Sequence, residues 1–377
     1  LSGVWIMAYT TVDKPSDYFR IAIYNGNNNA QSITWNENDN NEALDYPDSM
    51  QPDMVWIKSR AGNTVFGHVL GDSVRGGGNY FRVDINVSPN NTSNANVIAT
   101  FDSNGFGIGG ATFVSEGGRT YVGWGWKAGT TSGITTNGST TITPISYSFN
   151  TGAGFSMVRY HGNETAGAKI PHGLGAAPHW ALFRNMNNDE PWVVYHKNNT
   201  SSPETDHLHL DVNDSTADDN TMFNDTLPDT VNFTLGSNDQ VNKNGEDVMA
   251  YMWTSIKGYS KFGGYTGNNK NDGPFVYLGF RPAWLLVKDA GSGQSWHMFD
   301  SKRDLFNDDD AAHLIPSVDD SEAEAKSNRG TAKIDFLSNG FKINSDGSLL
   351  NGTGSFIYMA FAESPLVNSN GVPVNAR

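Results

Sequence analysis

A tyrosine, one variable residue and then Gly-Asn occur three times along the chain, as Tyr24-Asn-Gly-Asn27, Tyr160-His-Gly-Asn163 and Tyr265-Thr-Gly-Asn268. Each stands near the head of a longer unit whose later landmarks recur in the same order. A proline followed by an apolar run and a basic residue comes next: Pro52-Asp-Met-Val-Trp-Ile-Lys58, Pro178-His-Trp-Ala-Leu-Phe-Arg184 and Pro282-Ala-Trp-Leu-Leu-Val-Lys288. The outer copies then share Asp72-Ser-Val-Arg75 and Asp300-Ser-Lys-Arg303, where the middle copy has Tyr195-His-Lys197. An Asn-Gly turn between aromatic positions follows in Phe101–Ile108 and Phe336–Ile343, with Phe233-Thr-Leu-Gly-Ser237 a weaker middle counterpart. Each copy closes on an apolar strand, Tyr121–Trp126, Val248–Trp253 or Ile357–Ala362. The landmark prolines at 52, 178 and 282 set a period of about 100 residues or a little more, too long for a propeller blade or a helical solenoid repeat.

Within each copy, short runs of Val, Ile, Phe, Tyr and Trp alternate with Gly, Asn, Asp and Pro clusters, the pattern of antiparallel strands in a sandwich. Long amphipathic helices are absent from the pattern, and the best helical stretch is Ser317–Lys326, with Ser317 placed to cap it. The expected fold is therefore all-β, with three related antiparallel β-sandwich units in tandem. Their bounds are read as 1–128, with an N-terminal extension, then 144–257 and 258–377, the last carrying a C-terminal tail. The Thr-, Gly- and Ser-rich stretch 129–143 is the expected linker. Copies two and three join directly through Ile256–Phe262, which predicts rigid packing between them.

Composition narrows the function classes. With 25 Lys+Arg against 40 Asp+Glu the net charge is −15, so the basic footprint of a nucleic-acid binder is missing. The absence of cysteine excludes disulfide scaffolds, thiol catalysis and thiolate metal sites. No apolar run approaches the ~20 residues of a membrane helix, so membrane insertion is not expected. Leu1–Ile6 lack a basic n-region, and Met7 is read as the natural start.

Glu37, Asp39 and Glu42 have the Glu-x-Asp-x-x-Glu spacing of laminarinase-type glycosidases, but only Asn lies between them, which reads as an acidic surface loop. His207 and His209 fall on one face of a strand, and imidazole is a good transition-metal ligand. Surface histidines alternating with core leucines account for the same pattern, so no metal is assigned and this pair is the sole candidate. The acids of 211–219 and Asp308–Asp310 could offer oxygens to calcium but lack EF-hand spacing, leaving no cofactor expected and calcium the one candidate. The tryptophans, Trp124, Trp126, Trp192, Trp253, Trp284 and Trp296 among them, could stack on sugars, but recurrence at matching positions favours a core role. No nucleophile elbow, zincin or Walker-type motif occurs, and no catalytic residue is assigned.

A resemblance spans nearly the whole chain, carried by Asp13-Lys-Pro-Ser-Asp-Tyr-Phe19, Trp124–Gly129, Gly258–Asn268, Asp272–Tyr277, Phe356–Glu363 and the tail Pro365–Arg377. These segments resemble a repeat family of marine bacteriophage virion structural proteins, tail-fibre-like and with lectin-like jelly-roll (concanavalin-like) units. The resemblance also supports Met7 as the start and Arg377 as the natural end. It implies a non-enzymatic protein at the virion surface, a tail fibre or spike-type appendage in host attachment. The expected partners are other virion proteins, further copies of itself with three favoured, and a host cell-surface glycan. The alternatives are a capsid decoration protein, a secreted carbohydrate-binding protein and, resting on Glu37, Asp39 and Glu42, a jelly-roll glycosidase.

Overall fold

The computed structural model describes residues 10–35, 49–61, 66–87, 97–303, 307, 311–330 and 332–365. Glu37, Asp39, Glu42, Asp308–Asp310, Met7 and the tail beyond Pro365 lie outside the described residues. The chain is built of antiparallel sheets with short helices between them. One strand order occurs in each third of the chain. An opening strand pairs with a closing strand, which pairs with the proline strand, which pairs with the strand after it. In the first third these are Phe19–Asn25, Thr120–Trp126, Met54–Ser59 and Val69–Asp72. In the second they are Phe155–His161, Asp247–Trp253, Trp180–Asn185 and Val193–His196. In the third they are Ser260–Thr266, Ser355–Pro365, Phe280–Asp289 and His297–Asp300.

Strand alternation sends side chains of each large sheet to two faces. One face packs on a smaller sheet: the three strands Gln31–Thr34, Gly105–Ile108 and Ile98–Asp102, the pair Ala168–Pro171 and Asn232–Leu235, or the trio Phe275–Tyr277, Gly340–Ile343 and Ile334–Leu337. Each such sandwich encloses its own apolar cluster. The opposite faces of all three large sheets meet in one shared cluster. The register makes Met54, Trp180 and Trp284 equivalent, opposite Trp126, Trp253 and Phe361. The edge-on ring pairs Trp126–Trp284 and Trp180–Trp296 cross between thirds, with centroids 5.6 and 5.4 Å apart. The space left among these rings is about 10 Å³, barely one water in size and lined by apolar side chains.

The Tyr-x-Gly-Asn motif now has a physical explanation. The hydroxyls of Tyr24, Tyr160 and Tyr265 donate to the carbonyls of Val114, Val241 and Leu350 at 3.0, 2.5 and 2.7 Å. Those carbonyls belong to three matching one-turn helices, Thr112–Ser115, Asp239–Asn242 and Ser348–Asn351. The Asn163 and Asn268 amides donate to the Asn242 and Asn351 side-chain oxygens at 2.9 and 2.8 Å. The glycine between is required by contact. A Cβ at Gly26, Gly162 or Gly267 would lie 2.1, 2.3 or 1.8 Å from a carbonyl oxygen just after the helix.

Three local expectations are refined. The hairpins at Asp102–Gly105 and Leu337–Gly340 form, but Ser103-Asn104 and Ser338-Asn339 make the turns, and the glycines are the first strand residues beyond them. A Cβ on Gly105 or Gly340 would lie 1.9 or 2.1 Å from a neighbouring strand's carbonyl oxygen. The helix expected from Ser317 starts later, at Glu322–Arg329, because Ser321 and Glu324 form a reciprocal capping box. Residues 129–143 are pinned rather than loose: Thr130 and Phe149 exchange backbone bonds, Thr141 and Ile142 donate to the Lys169 carbonyl, and Ile142 is buried.

Candidate functional site

The His207–His209 pair lies on the short strand Asp206–His209, between Val193–His196 and the two-residue strand Ala217–Asp218. The rings do share a face, with centroids 5.0 Å apart. His209 Nε2 faces the Gln240 side-chain oxygen at 3.0 Å, and its Nδ1 lies 4.0 Å from Asp214 Oδ2. His207 is buried rather than exposed as expected, and its Nδ1 has no partner among the described residues. Burial, reinforced by the neighbouring His209, pushes its pKa down to about 4, so the ring is neutral at physiological pH. Among the described residues no three His, Cys, Asp or Glu side chains are grouped to hold a metal. The pair offers two imidazoles, with His209 Nε2 held by Gln240 and no third ligand grouped with them among the described residues.

The acids that follow are distributed among separate tasks. Asp211 is buried and accepts the Trp192 amide at 3.0 Å, with burial raising its pKa. Asp219 caps the helix Asn220–Phe223 through the Thr221 amide at 2.8 Å, and although partial burial opposes it, the Thr221 hydrogen bonds hold its pKa below the usual range. Asp214 is largely exposed. These described acids form no oxygen cage. The described tryptophans are all buried, the six proposed as sugar platforms at 2% exposure or less, so none of those six offers a ring face to a ligand.

The residues the sequence marked without explaining are those that join the thirds. Asp72 and Asp300 are fully buried and paired with Arg75 and Arg303, Nε to Oδ2, at 2.6 and 2.5 Å. Each carboxylate also takes a bond from another third of the chain. The Tyr251 hydroxyl donates to Asp72 at 2.6 Å, and the Trp124 indole N–H donates to Asp300 at 3.0 Å. Tyr251 and Trp124 are register equivalents, opposite Leu182 and Trp56 on their proline strands. The third member of that set is Met359, opposite Leu286, which has no N–H or O–H to give. Facing it, the middle copy carries His196 where the others carry aspartate, and His196 Nε2 lies 3.1 Å from the Tyr358 carbonyl. The divergence of the middle copy is thus matched to its partner: a carboxylate there would have stayed buried without that cross-seam donor.

The basic residue near the end of each proline strand is likewise buried on carbonyls, crossing between thirds for Lys58 and Arg184 and staying within its own third for Lys288. Lys58 is buried and donates to the carbonyls of Ser59, Phe66 and Asp319, each at 3.0 Å, the last in the third repeat. Arg184 reaches the Val87 carbonyl of the first repeat at 2.5 Å, and Lys288 holds the Asp289 and Ser292 carbonyls at 2.6 and 2.8 Å. Burial pushes the pKa of Lys58 down to about 7, Lys288 to about 8 and Arg184 to about 10, partly opposed by nearby carboxylates. The recurrence of a base after an apolar run was legible as a repeat mark, but nothing in one sequence says that its charge ends buried on carbonyls.

Residues 14–365 match the model of a family described as a domain of unknown function (DUF7483), and the chain belongs to that family. No curated protein matches the chain, and neither does any solved structure.

Proposed function

We propose that this member of the family is a non-enzymatic structural protein of a bacteriophage particle, displayed at the virion surface as a tail fibre or spike-type appendage in host attachment. The observation that carries the reading is the shared core: three sheets bury a common face and are cross-tied by buried charged and polar bonds, giving one body. Rigid scaffolds with variable loops suit display and recognition. The marine-phage resemblance of the head and closing segments adds the virion context, and the −15 charge suits a partner recognised through polar loops rather than nucleic acid. The expected assembly is a homo-oligomer of three copies, held to other virion proteins.

Mass spectrometry of purified particles tests this. A copy number of a few per cent of the major capsid protein supports the appendage, a ratio near one supports capsid decoration, and absence from particles refutes both and favours a secreted carbohydrate-binding protein. Light scattering tests the assembly. A mass near three times 41.0 kDa supports the trimer, and a single 41.0 kDa body would mean that the internal repeats already supply the threefold match.

A further inference from the structure

The three repeats differ at one structurally equivalent place, and in the third a groove lies over it. Asp289, Asn185 and Ser59 occupy the same register position, opposite Phe356, Val248 and Tyr121. In the first two repeats the residue immediately before the closing strand is large, Arg119 or Glu246. Glu246 Oε2 accepts the Asn185 amide at 2.8 Å and so fills the space over it. In the third repeat that residue is Gly354, and the space over Asp289 is a polar groove of about 430 Å³.

Three glycines keep the carboxylate reachable. A Cβ on Gly354, Gly291 or Gly352 would come within 3.1, 3.7 or 3.9 Å of an Asp289 carboxylate oxygen. Asp289 is only 6% exposed, its Oδ1 takes the Gly291 amide at 3.0 Å, and its Oδ2 has no donor among the described residues. Beside it the Ser292 hydroxyl is buried without a partner. Buried polar atoms are normally satisfied, so the unfilled Ser292 hydroxyl beside a carboxylate oxygen that faces the groove with no protein donor marks a place for a partner from outside. Asn269, Gln294, Ser348 and Thr353 line the rest.

We infer that this groove binds a neutral saccharide, whose hydroxyls would donate to Asp289 and exchange hydrogen bonds with Ser292, Asn269 and Gln294. A carboxylate accepts two neighbouring hydroxyls as charge-assisted bonds. A metal cation is disfavoured because the Lys288 ammonium lies behind the floor on the Asp289 and Ser292 carbonyls, and an anion is disfavoured by Asp289 itself. No aromatic ring lines the groove, so recognition is by the edge of the sugar rather than by stacking. The inference rests on the attachment reading and gives it a ligand class.

The test is saturation-transfer NMR on the full chain with glucose, galactose, mannose, fucose, N-acetylglucosamine and N-acetylgalactosamine, followed by titration. At least one is expected to bind, with Kd on the order of 1 mM. Asp289→Asn should weaken it at least about tenfold, and Gly354→Glu, which copies the second repeat, should abolish it. If either variant fails to fold, the exposed rim double variant Ser348→Ala/Thr353→Ala, expected to weaken binding several-fold, carries the test. Binding of none of the six sugars, binding unchanged in the folded variants, or calcium alone competing with the sugar would each overturn the inference. Particle mass spectrometry keeps the two readings apart: a virion protein that binds no sugar loses only the groove, and a sugar-binding protein absent from particles loses only the virion.

Discussion

Replacing Asp300 by alanine tests whether the thirds are held as one body. Asp300 Oδ2 receives the Arg303 guanidinium at 2.5 Å and the Trp124 indole at 3.0 Å, and Oδ1 receives the Lys302 and Arg303 amides at 3.1 and 3.0 Å. Arg303 is itself buried and keeps only Glu322 and the Met298 carbonyl when Asp300 is gone. Breaking a buried pair costs about 3–5 kcal/mol, and the retained Glu322 counter-charge sets the expectation toward the lower end of that range. With roughly 2 cal/mol/K of unfolding entropy per residue over 377 residues, that becomes a fall of about 4–6 °C in Tm. Scanning calorimetry should show the whole transition moving down as one, because the lost Trp124 bond ties the first repeat to the third. Asp300→Asn, which keeps shape and an acceptor, should fall in between. A shift under about 1 °C, or separate melting of one third with the rest unmoved, would refute the seam argument.

Three further outcomes follow from particular groups. His172 and His196 are buried with pKa values pushed down to about 4, so between pH 6.5 and 4 the unfolded chain binds protons that the folded one does not. Stability is therefore full above pH 6.5 and lost as pH falls toward 4, by about 3 kcal/mol for each histidine, and urea midpoints that stay flat between pH 7 and 4.5 would contradict this. Gly267→Ala, whose Cβ would lie 1.8 Å from the Gly352 carbonyl oxygen, should cost several kcal/mol, about 3 or more, while Gly138→Ala, with nothing within 4 Å, should change thermal stability by under about 1 kcal/mol. His196→Asp alone should destabilise by about 1–3 kcal/mol, and adding Met359→Tyr, which restores the donor present in the second repeat, should recover part of that loss in a double-mutant cycle.

The β architecture was legible because repetition separates signal from local propensity. One strand of Val, Ile and Trp is ambiguous, but the same order of landmarks three times forces one strand order three times. The tryptophans were readable as core for the same reason, since matching positions imply matching burial. The short helices that the tyrosines clasp were not readable. A four-residue turn such as Asp239–Asn242 has no periodicity, and its order comes from Tyr160, some 80 residues distant. The displaced start of Glu322–Arg329 shows the limit of capping signals, since Ser317 and Ser321 both fit and only the reciprocal bond of Glu324 selects the second.

For the candidate site, residue type was a weaker guide than the contrast between copies. His207 and His209 attracted attention as metal-ligating residues, and the structure places their rings together with no third ligand grouped beside them among the described residues. The informative positions were those where one copy departs from the other two. Where Asp72 and Asp300 become His196, the change is answered by Met359 across the seam, so the departure is compensated and architectural. Where Arg119 and Glu246 become Gly354, no side chain moves in: the Asp289 carboxylate faces a groove and the buried Ser292 hydroxyl beside it has no partner. A compensated departure preserves the body, and an uncompensated one costs stability through unmet polar atoms. That cost is understandable if the vacancy is filled from outside, which is why the third repeat, rather than the more divergent second, is the place to look for a ligand.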